Sequence, residues 1–160
     1  MAGDTRSSDR RSEVPVTMEQ SAEYDGIPVF LRFGDMDREL SEYPKERKAV
    51  ELARMQGWRH ALGALYDPGM VAYSADPARS SFLDLLSLSK SMTALEIGVG
   101  LGQHTAAIAA RVAGLDTLEV RLVNALFAKI RCTQEGVINA TFACGGDDCR
   151  LPFAVCRCIV

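Results

Sequence analysis

At 160 residues the chain has room for one domain with some decoration, and 48% hydrophobic residues are enough to build a packed core. Its formal charge of −3, from 18 Lys+Arg against 21 Asp+Glu spread along the sequence, offers no basic stripe of the kind that neutralises a phosphate backbone, so nucleic acid is not an expected partner. No apolar run approaches the roughly 20 residues of a membrane helix, and a membrane partner is not expected either.

Residues 1–22 are rich in Ser, Asp, Arg and Glu and nearly free of large apolar groups, so they read as a disordered tail. They also lack the apolar stretch of a secretory signal, and the expected location is cytoplasmic. The run Ile27 to Phe33 has weak strand character and reads as a short strand or a covering loop.

From Pro44 the apolar residues Ala49, Leu52, Ala53, Met55, Trp58, Leu62 and Leu65 recur at helical spacing, with a break or bend at Gly57 and a terminating turn at Asp67, Pro68 and Gly69. A second helix is expected from Pro77 to Leu86, with Asp76 as N-cap, Pro77 in the first turn, and Phe82, Leu85 and Leu86 on the buried side. Residues 23–91 thus read as a mainly helical segment, and Trp58 and Tyr66 as packing residues within it.

After Ser91 the pattern changes. TALEIGVG is a strand running into a glycine turn, QHTAAIAARV a helix, DTLEVRLV a strand, LVNALFAKIRCTQEG a helix and NATFACGG a third strand. Strands alternating with helices predict an α/β fold with a parallel, Rossmann-like sheet and flanking helices over residues 92–160.

Glu96-x-Gly98-x-Gly100-x-Gly102 falls where the first of these strands hands over to a helix, the place where open α/β sheets bind ligands. Glycines there permit a tight turn and close approach of the backbone, and the N–H groups at the helix start favour an anionic or carboxylate-bearing group. A glycine turn of this kind also occurs in α/β domains that bind nothing. The dinucleotide pattern G-x-G-x-x-G fails, because counting from Gly98 its third glycine position is Gln103. No Gly-Lys-Ser/Thr follows, which excludes a P-loop.

Taken as a unit, L-E-I-G-V-G-L-G-Q-H-T resembles the first motif of class I S-adenosylmethionine-dependent methyltransferases. The resemblance implies that Glu96 helps position the methionine part of S-adenosyl-L-methionine, and that Glu119, ending the second strand in T-L-E-V, accepts hydrogen bonds from the ribose hydroxyls. C-G-G-D-D-C-R-L-P-F is similar to the segment after the third strand of the type 11 methyltransferase group. That similarity puts Asp147 on the adenine amino group and lets Asp148 offer its backbone N–H to the ring.

The implied activity is methyl transfer to a small-molecule or otherwise unidentified acceptor; the alternative is a non-catalytic cofactor-binding remnant or regulatory module of the same fold. Related enzymes use an N-terminal helical segment to cover the cofactor or shape the acceptor pocket, a role that would fall here to residues 45–86. No residue stands out as a catalytic base, and His104 is unassigned.

The family sheet is larger than the three strands, with the start of a fourth, that these residues supply, so a truncated product with an uncovered sheet edge prone to self-association is expected. Cys132, Cys144, Cys149, Cys156 and Cys158, with only His60 and His104 beside them, lack the paired short spacings of a zinc site, and no metal is expected.

Overall fold

The computed structural model describes residues 22–30, 41–146 and the strand at 158–159. The expected tail, the stretch 31–40 and the segment holding Asp147, Asp148 and the Leu-Pro-Phe run fall outside the described residues, apart from Ala22, which opens the first strand.

Strands β1 (Ala22–Tyr24) and β2 (Ile27–Val29) form an antiparallel hairpin. Its two-residue turn, Asp25 and Gly26, has positive φ at both positions (52° and 68°), the conformation that Asp-Gly adopts most easily between right-twisted strands. What sequence reading left as a strand or covering loop is therefore part of the main sheet: β2 runs parallel to β5 (Ala140–Cys144), Val29 opposite Cys144, and the Phe30 N–H donates to the Cys144 carbonyl at 2.7 Å.

The three expected strands are present. Strands β3 (Thr93–Ile97), β4 (Gly114–Glu119) and β5 lie parallel, and β6 (Cys158–Ile159) adds to the far side of β3, also parallel. The sheet order is β1-β2-β5-β4-β3-β6. The outer edge of β5 is paired by the N-terminal hairpin.

Helices α1 (Pro44–Gln56) and α2 (Trp58–Leu65) are separated at Gly57, whose φ of 92° suits a residue without Cβ. Helix α1 buries Ala49, Val50 and Ala53 and leaves Met55 71% exposed. The turn expected at Asp67 does not end the helical segment: its carboxylate accepts the Gly69 N–H at 2.6 Å and caps a further helix, α3 (Pro68–Ala75), with Pro68 at the first position.

Asp76 caps the next element as expected, accepting the Ala78 N–H at 2.9 Å, but Pro77–Leu85 is a 3₁₀ helix rather than an α-helix. With three residues per turn, residues three apart share a face, so Ser80 and Leu83 are buried whereas Phe82 and Leu85 are 41% and 87% exposed. The buried face expected from an α-helical period is thus corrected at Phe82 and Leu85, while Leu86 is partly buried against the core with Leu83.

Helix α4 (Thr105–Ala109) follows β3 and α5 (Leu122–Gln134) follows β4. Strand alternation sends Ile27, Val29 and Cys144 into a core with α1, α2 and α5, and Ala94 and Leu115 into a second with α4 and the 3₁₀ helix. Phe30, Leu95, Leu118 and Ala143 cluster on the other face of the sheet. Among the described residues no helix is long and apolar enough to cross a membrane.

Candidate functional site

At the carboxyl end of β3 the chain turns through Gly98, Gly100 and Gly102 at φ of 77°, 56° and 71°, a backbone region that side chains disfavour by about 1–2 kcal/mol. The three glycines differ in what surrounds them. A Cβ on Gly102 would lie 3.2 Å from both Cα and Cβ of Ala128, so this glycine lets the turn press against α5. A Cβ on Gly98 would meet nothing within 4 Å, and one on Gly100 only the Gly98 carbonyl at 4.0 Å, so these two border open space.

The N–H groups of all three glycines are bonded within the chain. Gly98 donates to the Leu118 carbonyl at 2.8 Å, Gly102 to the Val99 carbonyl at 3.0 Å, and Gly100 to Glu119 Oε2 at 2.7 Å. The turn's shape is thereby set by the protein itself, and what it leaves free is space beside Gly98 and Gly100.

Glu119 ends β4 and is 5% exposed. Its other oxygen, Oε1, accepts the Arg121 N–H at 3.1 Å, and its carbonyl accepts the Gly145 N–H at 3.0 Å, which draws the exit of β5 to the same rim. An ionised carboxylate has about four acceptor positions, so two backbone donors leave capacity for hydroxyl donors from a ligand.

Glu96, also 5% exposed, points to the helix-bearing face of the sheet, and its Oε2 has no hydrogen-bond partner. Burial pushes its carboxyl up to about 7; the nearby Thr105 hydroxyl pulls against that rise and the Glu119 charge adds to it. Thr105 is itself fully buried, and its Oγ1 lies close enough to act on the Glu96 carboxyl while neither it nor Glu96 Oε2 forms a hydrogen bond of full geometry. A buried acceptor without a donor carries a desolvation cost that a cationic or N–H group entering the site would remove.

Arg131 of α5, 3% exposed, meets the turn at the Leu101 carbonyl (3.4 Å), with its guanidinium 4.1 Å over the Trp58 ring. Trp58 is buried in the core as expected. His104 is engaged locally: Nδ1 lies 3.0 Å from Ser80 Oγ and the ring meets Phe82 edge-on at 5.2 Å. Burial first, then the Arg79 and Arg131 charges, lower its pKa.

The structure thus brings Glu96, Gly98, Gly100, Gly102 and Glu119 to the carboxyl ends of two paired strands, while Asp147 and Asp148 lie outside the described residues. Sequence reasoning missed Thr105, Arg121 and Arg131. It also missed Ile97 and Val120, apolar residues 49% and 54% exposed, each directly after one of the buried carboxylates. That juxtaposition was the readable signal, since an apolar residue left exposed at a strand tip invites a ring or hydrocarbon partner.

Two described cysteines, Cys132 and Cys144, are buried, and burial drives the Cys132 thiol up to about 12, far from a reactive thiolate. Among the described residues no cluster of three or more His, Cys, Asp or Glu side chains could hold a metal.

No family model matches the sequence, and no curated protein matches it. Solved structures do. A dimethyladenosine transferase from Plasmodium falciparum aligns at 23% identity and a TM-score of 0.47, covering 52% of this chain and 31% of that one. A tRNA methyltransferase from Aquifex aeolicus aligns at 22% identity and 0.47, covering 52% and 35%. A SAM-dependent methyltransferase from the same organism aligns at 18% identity and 0.44, covering 54% and 50%.

The overlap is with a third to a half of the length of these structures.

Proposed function

We propose that the glycine turn and the two strand-end carboxylates bind S-adenosyl-L-methionine, and that the protein transfers its methyl group to an acceptor. The observation that carries this reading is the unpartnered Glu96 Oε2, buried next to a glycine turn with open space at Gly98 and with Glu119 on the neighbouring strand. The ligand's chemistry matches the donor set these residues lack: an ammonium for Glu96 and vicinal hydroxyls for Glu119. The sequence resemblance adds Asp147 for the adenine amino group and the Asp148 N–H for the ring.

When bound, the cofactor supplies an electrophilic methyl group on a sulfonium. The chain's own part is to hold and orient. Glu96 fixes the amino-acid end once ionised, Glu119 fixes the ribose while keeping Gly100 in place, and Ile97 and Val120 offer apolar surface that excludes water from the ring. Catalysis would then come mainly from proximity and alignment of an acceptor nucleophile with the methyl carbon. The helical segment of residues 45–86 is the proposed cover.

Titration of the purified protein with S-adenosylmethionine and S-adenosylhomocysteine, with NADH as control, tests the binding half. At a ligand concentration of 100 Kd the melting temperature should rise by about 5–10 °C. A folded sample that responds to neither adenosyl ligand, or equally to NADH, removes this reading. Transfer is tested with radiolabelled methyl donor against small-molecule, protein and RNA acceptor pools. Binding without transfer to any of them would favour a non-catalytic cofactor-binding module.

A further inference from the structure

A guanidinium as deeply buried as that of Arg131 is expected to have its donors satisfied and its charge balanced. Its Nε donates to Glu135 Oε1 at 3.2 Å, its Nη2 to the Ser74 carbonyl at 2.8 Å, and its Nη1 to the Leu101 carbonyl at 3.4 Å, while Trp58 covers one face of the plane. Three separate stretches of chain therefore meet on one side chain of α5: the end of α3, the start of α2 and the glycine turn. Gln103 repeats the connection, its Nε2 donating to Ser74 Oγ at 3.2 Å.

From the other side, Glu119 grips the same turn through Gly100. Packing alone does not call for an arginine at this place, because an apolar side chain of similar volume is often as stabilising as a buried ion pair. What an arginine adds is a fixed fork of donors that can hold several carbonyls in register at once.

We propose that Arg131 is a positioning residue for the glycine turn, tying it to the N-terminal helices so that the turn and the end of α3 move as one unit. Its consequence for ligand affinity rests on the cofactor reading above; the tie itself does not. A turn held in its binding shape before the ligand arrives spares the cost of ordering it afterwards. The helical segment then acts on the cofactor site through the back of the turn, whatever it also covers at the front.

The test compares Arg131→Met, which keeps a long stem against Trp58, and Gln103→Ala, which removes the second tie at a half-buried position, with the unaltered protein. Native-state amide exchange is read across residues 98–104 and across β4 and β5, and S-adenosylhomocysteine affinity is read by calorimetry. Exchange in the turn should quicken about tenfold with the two strands unchanged, and affinity should fall about tenfold, less for Gln103→Ala. If Arg131→Met does not fold, Gln103→Ala carries the comparison.

Unchanged exchange in the turn of a folded variant overturns the tie. A loosened turn with unchanged affinity overturns the positioning role. A loosened turn in a protein that never bound the ligand supports the tie and overturns the cofactor reading instead.

Discussion

Glu119 reaches from the tip of β4 to the Gly100 N–H at 2.7 Å, so the carboxylate read from sequence as a ribose ligand is also a structural clamp on the glycine turn. The two roles are compatible, since one backbone donor occupies only part of one oxygen's acceptor capacity. They make the residue sensitive in two measurements at once.

Glu119→Ala is expected to weaken S-adenosylmethionine binding by roughly one to two decades, from the loss of charge-assisted hydrogen bonds. It should also destabilise the protein without ligand by about 1–3 kcal/mol, because the Gly100 and Arg121 N–H groups lose their acceptor. Calorimetry and urea denaturation read the two separately. Unchanged affinity in a folded variant would take Glu119 out of the site.

Glu96 predicts a pH dependence whose sign follows from its raised pKa. The folded protein holds the proton up to about 7, whereas the unfolded chain releases it near the ordinary value of 4.5, so the folded state binds the extra proton between those limits. The group's contribution to stability is present below pH 4.5 and is lost as pH rises through 7. Glu96→Gln should remove that decline, gaining on the unaltered protein by up to about 3 kcal/mol between pH 4.5 and 8. Urea denaturation at several pH values checks this, and parallel stability profiles for the two proteins would refute it. Binding of a ligand ammonium requires the ionised carboxylate, so affinity should rise as pH passes through 7.

The parallel core was legible because β3, β4 and β5 are short apolar runs separated by helical periods, and because the glycine turn sits at the first strand-to-helix junction. The hairpin was less so. Its Asp25-Gly26 signal is a strong one, but the strands on either side are three residues each, too short to show an alternation. The buried face of 77–85 was misassigned because sequence period cannot tell a capped 3₁₀ turn from an α-helix of the same length. Arg131 was invisible for a different reason: a charged residue on a helix reads as solvated until the elements that bury it have been placed.

The 3₁₀ assignment makes its own prediction. Leu83 is fully buried against Ala94, Ile108 and Leu115, while Leu85, two residues on, is 87% exposed. Leu83→Ala should cost about 2–5 kcal/mol and Leu85→Ala less than about 0.5 kcal/mol, measured by chemical denaturation. Equal costs would mean that the segment presents an α-helical face instead.

Gly98 and Gly102 provide the sharpest separation between shape and ligand space. Alanine at either position meets the strain of a positive φ, about 1–2 kcal/mol. At Gly102 the new methyl also stands 3.2 Å from the Ala128 Cα and Cβ, so α5 must move and the total loss should grow by a further 1–3 kcal/mol or so. At Gly98 nothing in the protein opposes the methyl, and the added cost falls on whatever occupies the open space. Gly98→Ala should therefore remain folded at moderate cost yet bind S-adenosylhomocysteine at least about tenfold more weakly, whereas Gly102→Ala should show its main defect in stability before any ligand is added. Denaturation and calorimetry on the pair distinguish the two, and a Gly98→Ala protein that binds normally would place the ligand elsewhere than beside this turn.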